Sequence, residues 1–162
     1  MFDKSKIGHS FAPFTVEVYR NKIHELTAAI GDNNPVYHSR EAAQAAGFPD
    51  VPMSPTTPTI FNFWGARQRE GNSLASLGID VKRILHGEEE YEYLAPIYPD
   101  DRLMGVTTVV DGKTRVGKDG LSMDIITTET NYTNQHNQPV LKTRSTVIVR
   151  ELPSEKAKEP DA

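Results

Sequence analysis

One stretch of the sequence, TPTIFNFWGAR at Thr57–Arg67, decides the fold that we predict for this chain. Thr57 can cap a helix with its hydroxyl group, and Pro58 suits the first helical position, where a missing backbone N–H costs nothing. Over the next two turns the predicted helix is apolar nearly all round. A helix without a polar face must be buried, so we expect the rest of the chain to enclose it.

The segments after this helix have the pattern of β-strands from Lys82 onward. We place the strands at about Ile84–Leu94, Asp101–Arg115, Leu121–Thr133 and Val140–Arg150. Turns between the later pairs are expected at Asp119-Gly120 and over residues 134–137 (NQHN).

The segments before the helix add one strand and two helices. Residues 14–18 alternate apolar and polar side chains, which is typical of a short, half-buried strand. Asn21 can cap the helix that follows, and Gly31 is its expected end. Ser39 can cap a second short helix, Arg40–Ala46. The whole pattern predicts an α+β protein in which a curved antiparallel sheet of five strands wraps around one long central helix.

The composition excludes several classes of protein. A chain of 162 residues fits one domain, which we place at residues 1–152, followed by a charged tail at 153–162 that we expect to be flexible. The net charge of −4 argues against nucleic-acid binding. No apolar run approaches the roughly 20 residues of a membrane helix, and the N-terminus lacks the apolar core of a signal peptide. We therefore expect a cytoplasmic protein.

A metal site is not predicted either. The sequence contains no cysteine, and its five histidines do not have metal-ligand spacing.

An acid and an imidazole lie close together in GDNNPVYH at Gly31–His38. By itself this stretch can be a turn that leaves a helix, because Asp, Asn and Pro are favoured there for backbone reasons. His38 can equally be a solvated or capping residue.

Three further fragments, in the right order, give this stretch more weight. The four together resemble the MaoC-like dehydratase and R-specific enoyl-CoA hydratase family, and most closely its N-terminal-type, FAS1-like dehydratase domain. The resemblance covers about Ile7–Arg150 and implies the hot-dog fold. The fragments are Gly31-Asp32-Asn33-Asn34-Pro35, the Pro-Thr entry at Ser54–Pro58, the Leu-His-Gly strand at Ile84–Tyr93 and the corner Ala95–Asp101, where Asp100 replaces the usual Gly.

The resemblance implies a hydratase or dehydratase of acyl thioesters. In catalytic members, an Asp and a His five residues later hold the water that adds across the double bond of an enoyl thioester, or that leaves a 3-hydroxyacyl thioester. The implied substrates are thioesters of coenzyme A or of acyl carrier protein. Because only water is added or removed, we expect no redox cofactor and no metal.

The resemblance also implies the site residues. Asp32 is the expected catalytic acid, Tyr37 stands at the position of the family His, and His38 follows one residue later. A phenol with a pKa of about 10 is a poor general base near neutral pH, whereas an imidazole with a pKa of about 6.5 is well suited. Substrate-binding roles are expected for Asn34, for the backbone N–H groups of Thr57 and Thr59 at the helix N-terminus, and for His86.

Tyr37 leaves two alternatives to a catalytic subunit open. In relatives that lack the His, one domain accommodates the acyl chain while a sister domain supplies the Asp and His. The chain could then be a non-catalytic acyl-binding subunit of a heterodimer. A hot-dog thioesterase shares the architecture but needs a carboxylate directed at water near the thioester carbonyl. In every case we expect a homodimer, or a heterodimer with a second MaoC-like subunit, in which two sheets continue side by side.

Overall fold

Five strands form one antiparallel sheet in the order β1-β3-β4-β5-β2. The computed structural model describes residues 2–61, 74–118 and 120–151. The strands are β1 (Phe14–Glu17), β2 (Ile84–Tyr93), β3 (Arg102–Val116), β4 (Ser122–Thr133) and β5 (Pro139–Arg150). The predicted strands and the α+β class are confirmed. The short β1 and the longer β2 are the two edges of this sheet.

Among the residues described before β2, two α-helices are present, namely α1 (Arg20–Ala29) and α2 (Arg40–Ala45). Short 3₁₀ helices occupy Lys4–Lys6, Pro35–Tyr37, Thr57–Ile60, Leu74–Leu77 and Val81–Arg83. Ser39 caps α2 as predicted, since its hydroxyl oxygen accepts a hydrogen bond from the N–H of Ala42 at 3.3 Å. Across the described ranges, no helix has the length and apolar character needed to cross a membrane.

The predicted cap of α1 is wrong. The residue before the helix is Tyr19, which makes no side-chain capping hydrogen bond, and Asn21 lies inside the first turn. The reason is a pair of backbone hydrogen bonds to a distant part of the chain. The N–H of Val18 donates to the backbone carbonyl of Asp101 at 2.9 Å, and the carbonyl of Val18 accepts from the N–H of Asp100 at 2.8 Å. The chain therefore stays extended through Val18 and turns into the helix directly after it.

The predicted central helix begins with the 3₁₀ turn Thr57–Ile60. Thr57 is not its cap. Thr56 precedes the turn, and the buried Thr57 hydroxyl hydrogen-bonds to that of Ser54 at 2.9 Å. Phe61 ends this segment and is completely buried. Residues 62–67 of the predicted helix lie outside the described residues, so the burial of Phe63 and Trp64 stays a prediction.

One row of opposed residues crosses the whole sheet and supports Phe61. The row consists of Phe14, Gly105, Tyr132, Leu141 and Tyr93. The ring of Tyr132 packs edge-on against Phe14, with ring centroids 5.8 Å apart, and against Phe61, with centroids 5.6 Å apart. The absence of a side chain at Gly105 makes room for Phe14, because a Cβ there would lie 2.5 Å from its ring.

The buried apolar residues form two clusters on the same sheet. The first cluster surrounds this row and joins it to α1, to α2 and to the segment before Thr57. The second cluster lies further along β3, β4 and β5. The second cluster consists of Phe11, Val109, Ile126 and Val149. The first includes Val16, Ile23, Ala43, Val51, Met53, Phe61, Leu103 and Leu141.

Candidate functional site

The turn from Asp32 to His38 connects the end of α1 to α2. Gly31 allows the chain to leave the helix, because its φ of +73° lies in the left-handed region. The carboxylate of Asp32 accepts a hydrogen bond from the N–H of Asn34 at 2.9 Å. The side-chain oxygen of Asn34 accepts one from the N–H of Val36 at 3.2 Å and so caps the 3₁₀ turn. Asn34 therefore has a structural function in this turn, and its role in substrate binding stays a prediction.

His38 is held at both ring nitrogens. Its Nε2 lies 2.6 Å from the backbone carbonyl oxygen of Asp32, and its Nδ1 lies 3.0 Å from Nδ1 of His24 on α1. A carbonyl can only accept, so Nε2 of His38 carries the proton. In the neutral ring Nδ1 is then an acceptor, and the Nδ1–H of His24 donates to it. Neither nitrogen of His38 is free to take a proton from a water molecule.

Tyr37 is part of this turn and interacts electrostatically with Asp32 and with Tyr93 of strand β2. Burial of the half-buried ring raises the pKa of Tyr37, and the negative charge of Asp32 raises this pKa further. Burial also raises the pKa of Tyr93 far above its usual value, with smaller contributions from Tyr91 and Tyr37. Both phenols are therefore protonated at neutral pH, and Tyr37 can donate a hydrogen bond but is a very poor base.

Strand β2 is hydrogen-bonded to the segment around Thr57. The hydroxyl of Tyr93 donates to the carbonyl oxygen of Pro55 at 3.0 Å. The hydroxyl of Tyr91 forms a hydrogen bond with that of Thr59. His24, Tyr91 and Tyr93 were not predicted from the sequence as part of this site. The period of two in a strand, which puts Tyr91 and Tyr93 on one face, was the available signal for the two tyrosines.

The expected oxyanion donors are engaged within their own turn. The N–H of Thr57 donates to the carbonyl of Ser54 at 3.0 Å, and the N–H of Thr59 donates to the carbonyl of Thr56 at 3.2 Å. A thioester oxygen would have to replace one of these carbonyls as the acceptor. The role of Thr57 and Thr59 in substrate binding stays a prediction.

Comparisons with known proteins identify the family of this chain. Residues 5–143 match the family described as FAS1-like, dehydratase domain region. The chain belongs to this family. A UPF0336 protein from Saccharopolyspora erythraea is 34% identical over 152 residues, which are 91% of each chain.

Two solved structures show the same fold. The structure is similar to that of the C-terminally truncated HadBC (3R-hydroxyacyl-ACP dehydratase) complex from Mycobacterium tuberculosis, with a TM-score of 0.73 and 20% identity over 91% of this chain and 99% of that chain. For the MaoC-like dehydratase from Rhodospirillum rubrum the TM-score is 0.66, with 20% identity over 94% and 99% of the two chains. This member of the FAS1-like dehydratase family is therefore a dehydratase-type hot-dog protein.

The structure does not bring His86 to the Asp32 turn. Its Nε2 lies 3.1 Å from the carboxylate of Glu89, and its side chain is largely exposed. It precedes Tyr91 by five residues, which corresponds to roughly 15 Å along the strand. The role of His86 in substrate binding stays a prediction.

An open groove of about 640 Å³ lies beside the turn and is lined by His24, Tyr37 and His38, together with Arg20 and Arg40. Both arginines bind the carboxylate of Asp50, each with an N–O distance of 2.7 Å. Their guanidinium groups hold the pKa of Asp50 far below its usual range. This clamp fixes the first residues of α1 and α2 relative to each other. Within the described part of the chain, no group of three or more His, Asp or Glu side chains could hold a metal ion.

Proposed function

We propose that this chain is the substrate-binding subunit of a hydro-lyase that adds water to enoyl thioesters or removes it from 3-hydroxyacyl thioesters. The carrier would be coenzyme A or acyl carrier protein, and the work would be shared with a second MaoC-like subunit. Membership of the dehydratase family and the likeness to the HadBC dehydratase complex support this proposal.

The proposal depends most on Tyr37, which stands at the position of the family His, and on His38, which follows it. Neither side chain is suited to act as a general base. Tyr37 is a phenol whose pKa is raised by burial and by Asp32. His38 is engaged at both ring nitrogens by Asp32 and His24. A general base needs a free lone pair within hydrogen-bond reach of the water that it activates. His38 has no free lone pair in this arrangement, and the phenol of Tyr37 keeps its proton and is too weak a base. We therefore expect the working imidazole to come from the partner subunit.

The division of labour follows from the chemistry of hydration. Water oxygen bonds to C3 of the enoyl thioester, one water proton goes to the base, and a proton is delivered to C2. In our proposal the partner supplies the Asp and His that move these protons. This chain would supply the surface that binds the acyl chain, which includes the groove beside Tyr37. No electrons are gained or lost, so the proposal includes no redox cofactor and no metal.

The test is to measure hydration of crotonyl-CoA by the purified chain alone and with an added subunit that carries the complete Asp-x-Asn-Pro-x-His stretch. We expect the chain alone to be slower by a factor of about 10²–10⁴, because a positioned general acid or base typically contributes that much. Hydrolysis of acyl-CoA is measured on the same samples. Hydrolysis without hydration would identify a thioesterase and contradict the proposal.

Two variants give the decisive control on the isolated chain. Rapid hydration by the wild-type chain alone that His38→Ala abolishes and Tyr37→Phe leaves unchanged would show that His38 is the working imidazole. That result would overturn the substrate-binding role proposed here.

A further inference from the structure

Strand β2 has an unusual combination of length, position and charge. It is an edge of the sheet and pairs with β5, and no other strand of the described chain lies on its free side. Four of its ten residues are glutamates, at positions 88, 89, 90 and 92. A long free edge exposes unpaired N–H and C=O groups that can pair with another chain. The charges on this edge therefore affect which chain can pair with it.

The basic residues of the neighbouring strand β5 neutralise only part of this charge. Lys142 lies 3.2 Å from the carboxylate of Glu92. Arg144, by contrast, binds Glu129 on β4 at 2.9 Å. Among the described residues, neither Glu88 nor Glu90 forms an ion pair. These two carboxylates lie on the same face of β2, because alternate residues of a strand point to the same side.

Pairing with a second copy of β2 would bring glutamates together in each central register. Residues directly opposite each other in an antiparallel pair lie on the same face of the sheet. If the two-fold axis of the pair passes through Glu89, then Glu88 of each copy lies opposite Glu90 of the other copy. If the axis passes through Glu90, then Glu88 of each copy lies opposite Glu92. If it passes through Tyr91, then Glu90 of each copy lies opposite Glu92. Like charges in directly opposed positions destabilise a strand pair.

Exposed apolar side chains near both ends of the strand indicate that another chain covers this edge. Leu85 and Leu94 flank the glutamates and are 47% and 51% exposed. An acidic centre between apolar ends fits a partner strand with basic residues opposite the glutamates.

We propose that β2 pairs with an edge strand of a different subunit that carries lysine or arginine opposite Glu88 and Glu90, and that these two glutamates prevent pairing between copies of this chain. This inference rests on the proposed function in one respect, because that function requires a second subunit. It adds the surface, the chemistry of the partner strand and the residues that select it.

A charge-reversed copy of the chain, Glu88→Lys/Glu90→Lys, serves as the probe for a basic partner edge. With the axis at residue 89, each lysine of the probe faces a glutamate of the wild-type chain. Association of differently tagged chains is measured by sedimentation and native mass spectrometry, without substrate. We expect the mixed pair to form with an affinity on the order of 10- to 100-fold higher than either self-pair, from the effect of two opposed charge pairs.

The control is Glu25→Lys/Glu41→Lys, which makes the same change in net charge on α1 and α2. It should not promote association with the wild-type chain. Raising the salt concentration should weaken the mixed pair and relieve the repulsion between wild-type copies. A mixture that associates no better than the wild type alone would overturn the proposal, as would a wild-type dimer that charge reversal at positions 88 and 90 leaves unchanged. Because no catalysis is measured, these outcomes are independent of the hydration assay.

Discussion

His38 lies one residue beyond the position at which the family has its catalytic imidazole, and its surroundings reflect that offset. The ring is fixed between the backbone of Asp32 and the side chain of His24. It therefore ties the turn to α1. At the family position itself, Tyr37 has a hydroxyl group that keeps its proton at neutral pH. In this structure, the imidazole that lies one residue after the family position holds the turn in place.

A prediction at the residue scale concerns the pH dependence of stability. Arg20 and Arg40 lower the pKa of Asp50 in the folded chain. The unfolded carboxyl has a pKa of about 3.9. A group with a depressed folded pKa contributes stability above its unfolded pKa and loses that contribution as the pH falls toward its folded pKa. We expect Asp50→Asn to lower the melting temperature at neutral pH, and this difference from the wild type should shrink below about pH 4.

The measurement is thermal unfolding at a series of pH values from neutral down to the acid limit of solubility. Glu25→Gln is a suitable control, because Glu25 makes only an exposed ion pair with Lys22. A difference between Asp50→Asn and the wild type that stays constant with pH would contradict the assigned role of the clamp.

At the scale of the elements, the contact between β1 and β3 depends on a missing side chain. A Cβ at Gly105 would lie 2.5 Å from the ring of Phe14 and 2.9 Å from that of Tyr132. Gly105→Ala should therefore lower the free energy of unfolding by about 1–3 kcal/mol, as overpacking of a core typically does. Urea unfolding measures the change. In a Phe14→Leu background the same substitution should cost less, and a cost below about 0.5 kcal/mol in the wild type would refute the close contact.

The sequence predicted the strands better than the helix starts. The long β-patterned runs place β2 to β5 within one residue of their observed ends, because period and turn residues are local signals. The start of α1 depends on hydrogen bonds between Val18 and the distant residues Asp100 and Asp101. No local pattern around Asn21 contains that information.

The same distinction applies to the site. Asp32 and Tyr37 could be proposed as site residues from the sequence because they lie within one short motif. His24 and Tyr93 were missed, because their neighbourhood to that motif arises only when α1 and β2 pack around it. Asp100 was noticed as a departure from the usual Gly, and the structure gives it a φ of +71°, in the region that favours glycine.

At the scale of the whole molecule, we expect the two core clusters to unfold as one cooperative unit. Strands β3, β4 and β5 each contribute residues to both clusters. Ile126 of the second cluster is completely buried, so Ile126→Ala should lower the free energy of unfolding by about 2–5 kcal/mol. Circular dichroism in the far and near ultraviolet should report a single shared transition for this variant. Two separate transitions would show that the clusters unfold independently.

The order of the strands also has a consequence for the time at which the sheet can form during synthesis. Strand β2 is made before β3, β4 and β5, yet its only neighbour in the described sheet is β5, the last of these strands to be made. About 57 residues separate the end of β2 from the end of β5. At a translation rate of about 5–20 residues per second, β2 waits roughly 3–11 seconds on the ribosome for its neighbour. During that interval both of its edges are open, and we expect its glutamates to keep the nascent strand hydrated and to repel other copies of the same strand.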